Sequence, residues 1–224
     1  MKKIISSILS LVLLVGICFS VPVTANAADL DSIYDLQLEY TLADDGYSYV
    51  VSGYEIKYTT GDESEISTFN NGVVEIPEKF GALPVTAIGD NAFNGWGFLT
   101  SVVLPDNLTE IGYRAFAYCS SLTEITFPKS IKLVDESAFD GCDFLMKLYM
   151  PDVETFCNLE SMPYATEFMQ IYIDGELPEV IEIPETVSTI REAAFANFSS
   201  LKKIVVCGNI DFLTIKALAD TLFS

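Results

Sequence analysis

The chain has 224 residues with 12 Lys and Arg against 32 Asp and Glu, a formal net charge of −20, and no histidine. That balance repels phosphate backbones and anionic bilayers, which argues against nucleic-acid binding and against peripheral membrane attachment. The missing histidine removes the commonest general base and metal ligand, so Ser-His-Asp and Cys-His chemistry cannot be built within the chain.

Residues 1–27 read as a secretory leader. Met1-Lys2-Lys3 is a short basic start, Ile4 to Phe19 is almost wholly apolar, and Ala25-Asn26-Ala27 is a small-x-small cleavage site. The apolar run is short for a membrane span of roughly 20 residues, so cleavage is the expectation and an anchor the alternative. Cys18 follows a bulky Ile17, where lipid-modified leaders carry a small residue, so lipidation is the minor reading. Residues 28–224 then hold ten bases and 32 acids, a net −22, and are expected outside the cell, secreted or surface-associated, with no membrane span.

Residues 28–72 form a separate acidic unit, ten acids against Lys57 alone. Leu36, Leu38, Tyr40 and Leu42, then Tyr47, Tyr49 and Val51, alternate about Asp44-Asp45-Gly46, which predicts an N-terminal β-hairpin cap. Gly61 to Asn71 is polar and reads as a loop.

From residue 73 the chain repeats itself. Leu104-Pro105, Phe127-Pro128 and Met150-Pro151 recur every 23 residues, in step with Ala92-Phe93, Ala115-Phe116 and Ala138-Phe139, and with Leu99, Leu122 and Leu145. The phase returns at Ile183-Pro184, Ala194-Phe195 and Leu201. Pairs such as Val102 and Leu104 alternate as a half-buried strand does, and the proline ends the pairing by removing a donor. The following apolar set, Ile111, Ala115, Phe116 and Cys119, has the spacing of a short helical turn with one buried side. One coil cannot cover its own apolar face, so stacked coils are required. The predicted architecture is an α/β-type solenoid, strand plus short helical turn, over residues 73–208, with 209–224 as a C-terminal capping helix around Leu213, Leu218 and Leu222.

Two units depart from the period. The first runs 28 residues, with five extra around Gly81 and Pro84. The fourth, residues 151–183, lacks the Ala-Phe pair, although Leu148-Tyr149-Met150 recurs as Ile171-Tyr172-Ile173. Asp174-Gly175 then signals a turn, and the short step to Val180–Ile183 reads as a hairpin or a collapsed repeat.

Ile76-Pro77, Phe80-Gly81, Leu83-Pro84-Val85, Ile88-Gly89 and Ala92-Phe93, with the later Ala-Phe repeats in phase, resemble the BspA-like leucine-rich-repeat family of bacterial and protist surface proteins over about residues 36–206. The resemblance implies adhesion to host matrix or receptor proteins, or to other microbial surface proteins, with a glycan as another partner class.

No catalytic site, cofactor or metal site is expected. The 32 acids make chance carboxylate pairs inevitable, and no spacing singles one out, so a carboxylate-based glycan hydrolase ranks below a binding module and below a structural envelope component. Cys119 and Cys142 lie one repeat apart, close enough for a disulfide. Their slot holds Trp96 in the first unit and Phe198 in the last, so reduced core thiols are expected.

If Val102 and its equivalents point inward, the alternate residues face outward together. That face carries Glu75, Val103, Glu124, Thr126, Lys147, Tyr149, Gln170, Tyr172, Glu182 and Lys203, and it is nearly neutral on a strongly acidic protein. Tyr149 and Tyr172 are expected to stack, and exposed tyrosine suits interfaces, although strand propensity alone also favours these residue types.

Overall fold

The computed structural model describes residues 19–22, 34–58, 72–163, 169–191, 194–195, 198 and 200–209. The rest of the segment read as a leader, the expected cleavage site, the expected polar loop at 61–71 and most of the expected capping helix at 209–224 lie outside the described residues.

The first strand, β1 (Phe19–Pro22), pairs antiparallel with β2 (Tyr34–Leu42), which pairs antiparallel with β3 (Tyr49–Tyr58). The Asp45 carboxylate closes the β2–β3 turn, accepting the amides of Tyr47 at 2.8 Å and Ser48 at 3.2 Å. Leu36, Leu38, Tyr40 and Val51 point into the core, whereas Leu42 and Tyr47, at the turn, are exposed. From β3 onwards the pairing changes sense. β3 runs parallel to β6 (Leu83–Ile88), which continues into β8 (Glu110–Ile111) and β10 (Leu133–Val134).

The other side of the coils carries the repeat strands. β4 (Val73–Glu75) pairs in parallel with β7 (Ser101–Val103). β9 (Glu124–Thr126), β11 (Lys147–Met150) and β12 (Gln170–Ile173) form one parallel sheet, and β13 (Val180–Ile183) pairs with β14 (Lys203–Val206). Between the two sides lies one continuous core from Leu36 to Phe198. Within it the rings of Phe93, Phe116 and Phe139 stack coil upon coil at 5.2 and 5.4 Å.

The expected helical turn is not what joins the two sides. Asn91, Gly95, Arg114, Tyr118 and Gly141 all have positive φ, so the Ala-Phe segment is a run of tight turns, with Ala115 bonding back to Gly112 and Cys119 to Phe116. The left-handed residues turn other amides outward along the solenoid axis. Phe93 donates to Ala115, Phe116 to Ala138 and Tyr118 to Asp140, at 2.7 to 2.8 Å. An apolar spacing of four, one and three suits either geometry, and inter-coil bonding decides for turns.

The irregular units have separate explanations. The five extra residues of the first unit make a small hairpin, β5 (Lys79–Phe80) against β6, which lays Phe80 flat on Tyr40 at 4.3 Å. In the fourth unit α1 (Val153–Asn158) replaces the Ala-Phe turns and buries Phe156 and Cys157. Among the described residues it is the one α-helix, capped by Asp152, whose carboxylate accepts the Thr155 amide at 2.7 Å and lies 3.1 Å from Lys129 Nζ. Asp174 and Gly175, both left-handed, turn the chain after β12, and β13 pairs with β14 in place of completing a hairpin with β12.

Two stability outcomes follow. Phe116→Ala, which breaks the ring stack between its neighbours, is expected to cost about 3–5 kcal/mol in urea unfolding. Burial alone would raise the Asp152 carboxyl, but hydrogen bonds from Thr155 and the Lys129 ammonium outweigh it and hold the group below the usual range. A depressed carboxyl stabilises above its unfolded pKa, near 4, and loses that contribution as pH falls through the folded value. Asp152→Ala should therefore cost about 1 kcal/mol at neutral pH. The gap to wild type should close toward pH 2, whereas a gap independent of pH would assign the loss to packing.

Candidate functional site

The outward-facing positions of the repeat strands are set by the pleat. Buried Val74, Val102, Ile125, Leu148, Ile171 and Ile181 alternate with residues that stand on the open face. All ten residues expected on that face are there, none of them buried. The strands, however, divide them into three groups. Glu75 registers with Val103 across β4–β7, and Glu182 and Lys203 belong to β13–β14.

The remaining six form a contiguous patch on β9, β11 and β12. Glu124, Lys147 and Gln170 share one register row, and Thr126, Tyr149 and Tyr172 share the next. Parallel coils bring equivalent side chains to about the 4.8 Å strand spacing, and the Tyr149 and Tyr172 ring centroids lie 4.9 Å apart at 34°. Tyr172 Oη donates to Gln170 Oε1 at 3.2 Å, fixing one ring against its own strand. Lys147 Nζ lies 3.7 Å from Glu124 Oε2. The Tyr149 phenol and then the Glu124 carboxylate hold the Lys147 ammonium above its ordinary pKa, so it is a fixed positive charge at physiological pH.

At the C-terminal ends of these strands the face opens into a shallow depression of about 400 Å³, lined by Glu124, Thr126, Phe127, Tyr149, Met150, Pro151, Asp174 and Gly175. Glu124, Thr126 and Tyr149 were among the expected face residues. Asp174 and Gly175 were legible only as a turn. Nothing in the repeat pattern says that this turn, standing where the neighbouring coils have a proline, borders an open site.

The cysteines occupy core slots. Cys119 is 0% and Cys142 6% exposed, beside 3% for Trp96 and 7% for Phe198 in the same repeat position. Both are free thiols, donating to the carbonyls of Phe93 at 3.3 Å and Phe116 at 3.0 Å. Hydrogen bonding to Cys142 and burial both push the Cys119 thiol up, and burial pushes Cys157 up to about 12. Among the described residues no group of three or more His, Cys, Asp or Glu side chains could hold a metal ion, and no helix is long and apolar enough to cross a membrane.

The model of the BspA type leucine-rich repeat region matches residues 86–222 in six copies. Among solved structures, a leucine-rich repeat protein from Bacteroides capillosus is 25% identical, with a TM-score of 0.47 over 66% of this chain and 98% of that one. The leucine-rich repeat protein of T. pallidum is 17% identical, with a TM-score of 0.40 over 88% and 97%. One from Bacteroides ovatus is 24% identical, with a TM-score of 0.43 over 81% and 41%. No curated protein matches the chain.

Thiol reactivity tests the slot assignment. In the folded protein only the exposed Cys207 should react quickly with an aromatic disulfide reagent. Unfolding chain 28–224 should raise the count to four; a total of two would mean that Cys119 and Cys142 are bonded.

Proposed function

The chain belongs to the BspA-type leucine-rich-repeat family, and from that membership we propose that it is a protein-binding module. In this reading it is exported, acts in adhesion at or near a cell surface, and docks its partner on the open face of β9, β11 and β12. The observation that carries the proposal is the adjacent, partly exposed pair Tyr149 and Tyr172, standing on the outward face of buried strands beside an open depression.

Several features support the reading physically. Tyrosine brings large contact area with few torsions to freeze, so it binds at low entropic cost. The strands beneath are anchored through Leu148, Met150, Ile171 and Ile173 to the core, so the two rings are presented on a rigid base. The absence of histidine from the sequence and the lack of any singled-out carboxylate pair favour binding over catalysis. In this reading the β2–β3 hairpin caps the N-terminal end of the array, the remaining face residues form an outer rim, and export follows from the leader at residues 1–27.

Tyr149→Ala with Tyr172→Ala provides the test. Because both side chains stand on the solvent side of the sheet, the double variant should keep the wild-type melting temperature within a few degrees. Capture of partners from the native extracellular surroundings should fall by at least about tenfold, the effect of losing a paired aromatic anchor. Undiminished capture by a folded double variant would remove this face from consideration.

A further inference from the structure

We propose that, in the exported chain, the outer edge of β2 takes up an extended segment of a partner protein in which apolar and basic residues alternate. This rests on the export reading above, in which residues 1–27 are removed, and it concerns a different sheet from β9, β11 and β12.

Among the described residues β2 has two strand neighbours, β3 on one side and β1 on the other. The place that β1 fills is already a strand site. Phe19, Ser20, Val21 and Pro22 register antiparallel with Tyr40, Glu39, Leu38 and Gln37. Those four residues belong to the segment read as a leader, so cleavage after Ala27 takes them away and opens the edge. The strand itself keeps its anchors, which lie on its other side. β2 registers with β3 from Tyr34 to Leu42, Leu36, Leu38 and Tyr40 are buried, and the Tyr40 ring lies on Phe80 at 4.3 Å. A nine-residue strand with an open edge and a fixed inner row is a template for strand addition.

The chemistry of the occupant follows from the pleat. Directly opposed residues of an antiparallel pair point to the same side. An incoming segment therefore sets apolar residues against Leu38 and Tyr40, and a residue of another kind against Glu39 between them. Glu39 is half-buried, and its register partner on β3 is Gly53, which has no side chain to answer it. Among the described residues no base pairs with Glu39. A lysine or arginine opposite Glu39 supplies the charge that β3 does not. The surroundings favour the same choice, since residues 28–72 hold ten acids against Lys57 alone. A second copy is the poorer occupant, because it would bring the same acidic edge against itself on another strongly acidic chain.

The probe is the end-capped peptide of residues 19–25, titrated into chain 28–224 while amide exchange of Gln37–Tyr40 is followed by NMR. It should protect those amides saturably. Ser20→Lys in the peptide should tighten binding by about threefold and Ser20→Glu should weaken it by a similar factor, the effect of one cross-strand charge pair. Glu39→Lys in the protein should reverse that order. N-methylation separates strand pairing from apolar adhesion, because successive amides of a strand point to opposite edges. Of two peptides methylated at the Ser20 or the Val21 nitrogen, one should lose binding and the other keep it. Equal effects of the two methylations would overturn the proposal, as would protection confined to other strands or an order that Glu39→Lys leaves unchanged. Self-association of chain 28–224 through β2 would overturn it too, making a second copy the occupant. The mass of the exported protein tests the premise separately. A start at or before Phe19 overturns the export reading, and the proposal with it, even where chain 28–224 takes the peptide. A start at Ala28 in a chain that refuses every peptide overturns the acceptor edge alone.

Discussion

Between consecutive coils the backbone is bonded twice, along the strands and again along the turns. Lys147 registers with Glu124 and Gln170 in the sheet, while on the opposite arc Phe93 donates to Ala115 and Phe116 to Ala138. An unpaired buried amide costs about as much as a lost hydrogen bond. A coil of this kind therefore changes length only where the added residues bond among themselves, as in the β5–β6 hairpin and α1. That constraint holds the 23-residue step, puts phenylalanine over phenylalanine at 5.2 and 5.4 Å, and stacks Cys142 beside Cys119 without a covalent bond.

The same constraint explains which features were legible in the sequence. Period, inward strand residues and proline stops were readable because each recurs at a fixed step and each has one physical meaning. The Ala-Phe segment was readable as buried but not as turns, because the apolar spacing of Ala115, Phe116 and Cys119 serves either geometry. What separates the two is a left-handed residue before the Trp or Cys, with another before Ala in the first two units, and the sequence disguises both. Asn91 and Gly95 hint at them in the first unit, yet the next unit places Arg114 and Tyr118 there. Those residues reveal nothing of positive φ from their type alone. The second sheet, β6 with β8 and β10, went unseen for a related reason. Glu110–Ile111 and Leu133–Val134 are only two residues long, below the length at which alternation is a signal.

On the candidate site, side-chain direction was recoverable and grouping was not. Alternation put all ten residues on the open face, since a strand has only two faces to offer. It could not show that Glu75 and Val103, or Glu182 and Lys203, pair in sheets apart from the Tyr149 and Tyr172 ladder. Sheet boundaries depend on small offsets between coils that leave the repeat pattern intact.

The break after β12 lies beside that ladder. Regular coils end their strands on proline and present the next coil with an identical surface, which makes for a smooth face and little selectivity. After Ile173 the chain has Asp174 and Gly175 in place of proline, both left-handed, and reaches the next strand in a short step. The turn still satisfies the ladder, since Asp174 donates to the Met150 carbonyl at 3.1 Å and Ile173 and Glu176 exchange bonds. It lays an exposed acid beside Pro151 and Tyr149. Regular coils supply rigidity and paired rings, and the irregular turn adds an exposed acid at the edge of the depression. Here the period fails at tolerable backbone cost, and the place where it fails adjoins the two tyrosines of the proposed docking face.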